Sequence, residues 1–173
     1  MLRADEDEYR QFVVARLEPL RRMAFLLCRN WHTADDLVSI TFGKLYRRWG
    51  RARDMENLDA YVRAILTHAW LDERRRPWRR EDATDPVPES VAPGGEPPDV
   101  AMLRRLLAAV PPRQRAVIVL RFYCDLSVAQ TADILGISEG AVKSQAARGL
   151  EALRQATASP SRSRPCITTC SSG

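Results

Sequence analysis

The stretch Leu126-Ser127-Val128-Ala129-Gln130-Thr131-Ala132-Asp133-Ile134-Leu135-Gly136-Ile137-Ser138-Glu139-Gly140-Ala141-Val142-Lys143-Ser144-Gln145 reads as a helix-turn-helix. Val128, Ala129, Ala132 and Leu135 recur at helical spacing, so one face of a short helix can pack inward. Gly136 stands where that helix must stop and the chain reverse, because glycine takes left-handed backbone angles without a Cβ clash. Ile137 can plug the corner, and the Ser138 hydroxyl can cap the next helix. That helix turns Ala141, Val142 and Ala146 toward the body. It leaves Glu139, Gly140, Lys143, Ser144, Gln145 and Arg148 on or near its outer side. A short helix with a polar, cationic outer face fits the major groove of DNA. A plain helical hairpin in a bundle shares the apolar spacing; the Gly-Ile-Ser corner and the polar outer face weigh against it.

Upstream of this motif, residues 99–110 form a helical pattern with Met102, Leu103, Leu106, Leu107 and Val110 facing inward. Pro111 and Pro112 break it, Pro112 being suited to the first turn of the helix that follows over 113–123, where Ala116, Val117, Leu120 and Phe122 are apolar. The second helix of the motif is expected to run on through Leu150 and Leu153. Residues 156–173 are rich in Ser, Arg and Pro and are expected to be disordered.

The N-terminal part carries three further helical patterns. Tyr9, Phe12, Val13, Leu17, Leu20, Met23, Ala24 and Leu27 make one apolar stripe, with Pro19 expected to bend or break it. Thr33 is the expected cap of the second helix, with Asp35 and Asp36 in its first turn and Leu37, Val38, Thr41, Phe42, Leu45, Tyr46 and Trp49 inward. A loop over 50–57 leads to a third helix beginning at Asn57 or Asp59, with Ala60, Tyr61, Ile65, Leu66, Ala69 and Leu71 apolar. This helix ends in Arg74, Arg75, Arg76, Trp78, Arg79 and Arg80, side chains able to contact phosphates and stack on bases. A solvated basic helix end has the same composition.

Charge divides the 173 residues into blocks. Residues 1–80 carry 17 basic and 12 acidic side chains, residues 81–99 none basic and six acidic, and residues 100–155 eight basic and four acidic. The acidic segment also holds Pro86, Pro88, Pro93, Pro97, Pro98 and Gly94-Gly95, a composition that cannot pack a core. The predicted fold is therefore all-α: two small helical domains joined by a flexible acidic linker, the second containing the helix-turn-helix. The boundaries fall at 1–80, 81–98 and 99–155, with 156–173 as a tail. Two basic blocks suit nucleic acid.

Other function classes lack support. The histidines are His32 and His68, no glycine-rich phosphate loop is present, and Asp35-Asp36 and Asp72-Glu73 are adjacent pairs that diverge on their helices. No enzyme activity, metal or cofactor is expected. Cys28 and Cys124 lie in apolar stretches and read as buried thiols; Cys166 and Cys170 form a lone C-x3-C without the further ligands of a metal site. No apolar run approaches bilayer length and residues 1–8 are acidic, so a soluble cytoplasmic protein with no membrane partner is expected.

Three stretches together resemble the extracytoplasmic-function branch of the sigma-70 family. Ala34-Asp35-Asp36-Leu37-Val38-Ser39-Ile40-Thr41-Phe42 is similar to the family's A-x-D-L-V-Q-x-T-F segment. Residues 59–80 are similar to its promoter-melting helix, closest to the actinobacterial sigma-E-like subgroup, and residues 111–144 to its final domain. The resemblance implies a transcription-initiation subunit that directs core RNA polymerase to promoters. Asp35, Asp36, Leu37, Ser39 and Ile40 would dock on the β′ clamp helices. Arg53, Asn57, Tyr61, His68, Arg74, Arg75, Arg76, Arg79 and Arg80 would bind and melt the −10 element, the 52–58 loop matching the family's base-capturing loop. Glu139, Gly140, Lys143, Ser144, Gln145 and Arg148 would read the −35 element, with the surrounding domain on the β flap. The acidic linker would thread a basic channel of polymerase. Family members are often held by anti-sigma proteins, a further class of partner. A stand-alone helix-turn-helix regulator is the competing reading, and the cationic end of the third helix separates the two, since a regulator has no need of it.

Departures from the family pattern are Ser39 in place of a usual Gln, Ile40 where an acid is common, His68 at a usual Asn, Gln145 for a common Arg and Ala147 for a common bulky residue. Glutamine pairs bidentately with adenine where arginine pairs with guanine. Selection from a randomised −35 library is predicted to enrich adenine opposite Gln145; recovery of the common family consensus would overturn this.

Overall fold

The structure, a computed structural model, describes residues 3–75 and 98–158; among them it is helices and turns, without a strand. Residues of the arginine cluster beyond Arg75, nearly all of the acidic segment and the tail with Cys166 and Cys170 lie outside the described residues.

The first unit packs α1 (Arg3–Cys28), α2 (Trp31–Tyr46) and α4 (Leu58–Arg75) around a core in which Ala24, Leu27, Leu45 and Leu66 have no exposed surface. α1 runs unbroken through Pro19, where a backbone donor is lost; packing of the flanking turns on α2 and α4 holds the helix together. α2 begins earlier than Thr33. Asn30 is the cap, its side-chain oxygen accepting from the Thr33 amide at 3.0 Å, so Thr33 sits inside the first turn and Asp35 and Asp36 lie beyond it. Trp49 opens the one-turn helix α3 (Trp49–Ala52) instead of closing α2, and its ring lies 5.2 Å from Tyr9 and 5.5 Å from Phe12. The Tyr9 hydroxyl donates to the Phe42 carbonyl at 2.9 Å, and Arg16 forks the Asp59 carboxylate at 2.6 and 3.0 Å, fixing α1 against the start of α4.

The second unit comprises α5 (Pro98–Ala108), α6 (Pro112–Ile118), α7 (Val128–Leu135) and α8 (Glu139–Ala158). Pro112 takes the first turn of α6, as its fixed φ favours. After Ile118 the helix widens over Val119–Tyr123, the Cys124 amide donating to the Val119 carbonyl five residues back at 2.9 Å. This change of register carries Phe122 out of the apolar face, so it is exposed where helical spacing placed it inward. Met102 and Leu103 are exposed for another reason: α5 is covered along one side only, through Leu107, while its other apolar flank has no partner among the described residues. Leu17, Tyr46 and Ala129 are likewise exposed. α6 and α8 approach closely at Gly149, where a Cβ would stand 2.5 Å from Ile118 Cδ1.

The two units do not sit apart. Leu107, Ala116, Val119, Leu120, Cys124 and Leu126 from the second belong to the same contiguous apolar cluster as Met23, Leu27 and Leu66 from the first. Burial of a side chain such as Leu120 stabilises by about 1.5–3 kcal/mol. Cys124 is buried as expected, whereas Cys28 is partly exposed.

Gly136 has φ +64°, left-handed, while Gly43 lies within α2 with open space where a Cβ would go. Gly136→Ala should lower stability by about 1–2 kcal/mol, and Gly43→Ala should raise it by about 0.5–1 kcal/mol. Urea denaturation monitored by circular dichroism reads both signs.

Candidate nucleic-acid interface

The recognition helix is set by local chemistry. Ser127 and Gln130 close a capping box at the start of α7, with reciprocal bonds of 3.0 and 2.8 Å. The Ser-x-x-Gln spacing carries that signal, which the reading of the apolar stripe passed over. Gly136 ends α7, the Ile137 amide donates back to the Ala132 carbonyl at 3.1 Å, and Ser138 Oγ accepts from the Ala141 amide at 3.1 Å. Val142 is buried against Val117 and Ala132, with Ile137 and Ala146 partly buried around them. This leaves Glu139, Gly140, Lys143, Ser144 and Arg148 exposed on α8 and Gln145 half-buried at their edge. The six candidates form one face that carries two cations.

The other candidate face lies along α4. Tyr61, His68 and Arg75 are spaced by seven, which places them on one helical stripe. Their side chains already have partners in part. The Tyr61 hydroxyl accepts from Arg48 at 3.3 Å. His68 Nε2 lies 2.7 Å from the Ile134 carbonyl of α7, so that nitrogen carries a proton. Asn57 caps α4, its side-chain oxygen accepting from the Ala60 amide at 3.0 Å. Arg53 donates to Asp5 and, at 3.4 Å, to Glu8. These acids raise the Arg53 pKa above its ordinary value, the hydrogen bond to Asp5 being the larger cause. Arg74 lies over the Trp70 ring at 5.3 Å, and Arg75 is exposed. Arg76, Arg79 and Arg80 are outside the described residues.

On α2, Asp35 pairs with Arg21 at 2.5 Å, Asp36 lies 3.8 Å from His32, Ser39 donates to the Asp35 carbonyl at 2.9 Å, and Ile40 is exposed. Leu37 departs from the expected docking set: it is 1% exposed and packs in the core, because α2 turns its 34, 37, 38, 41 and 45 positions inward. Its side chain cannot reach a partner on that surface.

Residues 12–80 match the family description Sigma-70 region 2, and residues 101–153 match Sigma-70, region 4. The RNA polymerase sigma-E factor of Streptomyces coelicolor is 33% identical over 150 residues, covering 86% of this chain and 85% of that protein. The chain belongs to the extracytoplasmic-function branch of the sigma-70 family. The ECF sigma factor SigM of Mycobacterium tuberculosis is 31% identical over 133 residues, covering 75% of this chain and 66% of that protein. Among solved structures, the sigma factor RpoE in complex with the anti-sigma factor NepR from Bartonella quintana superposes with a TM-score of 0.68 at 25% identity, covering 87% of this chain and 97% of that one. No helix among the described residues of this sigma factor is long and apolar enough to cross a membrane.

Region 2 therefore corresponds to α1–α4 and region 4 to α5–α8, and the two meet directly. Besides the shared apolar cluster, Arg63 donates to the Cys124 carbonyl at 3.3 Å and His68 meets the Ile134 carbonyl. Neither contact was expected from sequence. The region 4 recognition face is open, while His68 of the α4 stripe is held against region 4. His68→Ala removes a bond worth up to about 1 kcal/mol, so it should raise the ratio of open to closed molecules by up to about fivefold. Energy transfer between dyes on α2 and α8 measures this; an unchanged distance distribution would mean that His68 does not help hold the junction.

Proposed function

We propose that this sigma factor directs core RNA polymerase to its promoters in the cytoplasm, region 2 opening the −10 element and region 4 reading the −35 element. The observation that carries the reading is the pairing, in one chain, of an exposed recognition face on α8 with the Tyr61, His68 and Arg75 stripe on α4. A regulator that only binds duplex DNA needs the first and not the second.

In this reading Lys143 and Arg148 supply cations to the duplex, and Glu139, Ser144 and Gln145 present donors and acceptors to base edges from one helical face. Arg75 and its neighbours Arg74, Arg76, Arg79 and Arg80 hold the phosphates of separated strands. Tyr61 offers a ring for an unstacked base, with Arg53 and Asn57 shaping the loop before α4. The exposed flank of α2, with Asp35, Asp36, Ser39 and Ile40, docks on the β′ clamp helices, and region 4 rests on the β flap. The 81–98 segment imitates nucleic acid in charge within the polymerase. An anti-sigma protein is a further partner, as it is for the RpoE structure that superposes on this chain. The role of the protein is recognition and strand opening, with no chemistry on a substrate.

Transcription with purified core polymerase and a genomic DNA library tests the reading. Discrete start sites sharing two upstream elements are expected; specific DNA binding without core-dependent starts would support a stand-alone regulator instead. Charge reversal at Arg75 and Arg76 together should slow promoter opening by about tenfold or more, about 1.4 kcal/mol or more of barrier, while affinity for core polymerase stays within about twofold. Equal loss of both would contradict the role given to these arginines.

A further inference from the structure

Near the ends of α1 and α4, Arg29 and Arg74 lie close to Arg115 of α6, and among the described residues no carboxylate pairs with Arg29 or Arg115. Arg115 of α6 is 4% exposed, and its one described side-chain bond is a long one, Nη1 to the Leu107 carbonyl at 3.4 Å. Its Nε is buried with no partner. Arg29, which closes α1 in a left-handed conformation at φ +61°, also has a buried Nε with no partner. Arg74, in the last turn of α4, is the exposed member and marks the side open to solvent. The three are near enough to repel one another. Burial first, then Arg29, then Arg74, pushes the Arg115 guanidinium down to about 10, which leaves it charged at neutral pH. Among the described residues neither Arg29 nor Arg115 has a carboxylate partner. The neighbouring group of opposite tendency is the Cys28 thiol, whose hydrogen bond is to the Asn30 carbonyl at 3.2 Å.

Buried cations without partners are expensive, and unfilled buried donors in a folded protein point to a missing acceptor. Guanidinium groups present forks of N–H donors matched to tetrahedral oxyanions, and several converging on one point make a phosphate site. We propose that the junction of α1, α4 and α6 binds a small oxyanion, phosphate in the first instance, between Arg29, Arg74 and Arg115. Arg29 and Arg74 belong to region 2 and Arg115 to region 4, so the bound anion ties the two regions together. This inference goes beyond promoter recognition and does not depend on it.

The test is thermal unfolding of the full chain in inorganic phosphate against chloride at equal ionic strength, for the native protein and for Arg115→Met, Arg29→Met and Arg148→Ala. Phosphate at about 10 mM should raise the native Tm by about 4 °C or more. Arg148→Ala, on the DNA-facing helix, should keep that rise. Arg115→Met and Arg29→Met should each lose it, and in chloride Arg115→Met should melt no lower than native, because an uncompensated buried charge has gone. No rise in the native protein, or an equal rise in the two methionine variants, would overturn the site. So would an Arg115→Met protein that melts far below native in chloride, since Arg115 would then already have its counter-charge within the chain. If Arg115→Met does not fold, Arg29→Met alone decides.

Discussion

The helix α4 has to satisfy two partners at once, and most of the architecture follows from that. Val62, Ile65, Leu66 and Ala69 fill the core shared with α1 and α2. Arg63 and His68, on the flank left over, reach region 4, one to the Cys124 carbonyl and the other to that of Ile134. A helix of 18 residues therefore joins two folding units that are separate in sequence. Each doubling of a connection's length costs only about 0.6 kcal/mol in closure, so the length of the 76–97 segment is no obstacle to this packing. The decisive term is the apolar surface removed from water at Leu107, Ala116, Val119, Leu120 and Leu126.

Much of each unit was legible from the residues because the signals are local. Gly136 was read as the turn and takes the left-handed conformation, and Ser138 caps α8. Asn57, one of the two proposed starts, caps α4. The misreadings have local causes too. Thr33 lost the capping role to Asn30, three residues earlier, because either side chain is a good acceptor and only the path of the chain out of α1 decides which one reaches a free amide. Apolar spacing located the stripes of α1 and α5 but could not say how far along each a neighbour extends, so Leu17, Met102 and Leu103 emerged exposed. A motif likewise names residues without saying which point inward, and Leu37 is the instance.

The junction itself was not legible. Arg63 and Cys124 are 61 positions apart, and the bond between them uses a backbone carbonyl that any residue could offer. No pattern of residue types announces such a contact. The arginine trio is hidden for a related reason. Arg29, Arg74 and Arg115 belong to three separate stretches of a chain with 27 basic residues; Arg74 stood out only as part of the cationic end of α4, Arg29 and Arg115 not at all, and only the fold brings the three together.

The closed arrangement also bears on how a sigma factor comes to be active. In the proposed function its two DNA-facing surfaces are not equally available: the α8 face is open, whereas on the α4 stripe His68, though exposed, is bonded to the Ile134 carbonyl of region 4. DNA that contacted only α8, and contacted it equally well in the closed and open forms, would leave their ratio unchanged however tightly it bound. A partner can drive opening only by binding surfaces that the closed form withholds, and the withheld surface is the apolar junction with the polar groups of Arg63 and His68 bonded at its edge. Core polymerase and melted −10 DNA meet that requirement in the proposed function, and duplex DNA carrying a −35 element alone does not. In that function, parting of the junction is coupled to polymerase and strand opening together, so the affinity of α8 for DNA can be strong without opening the junction on its own.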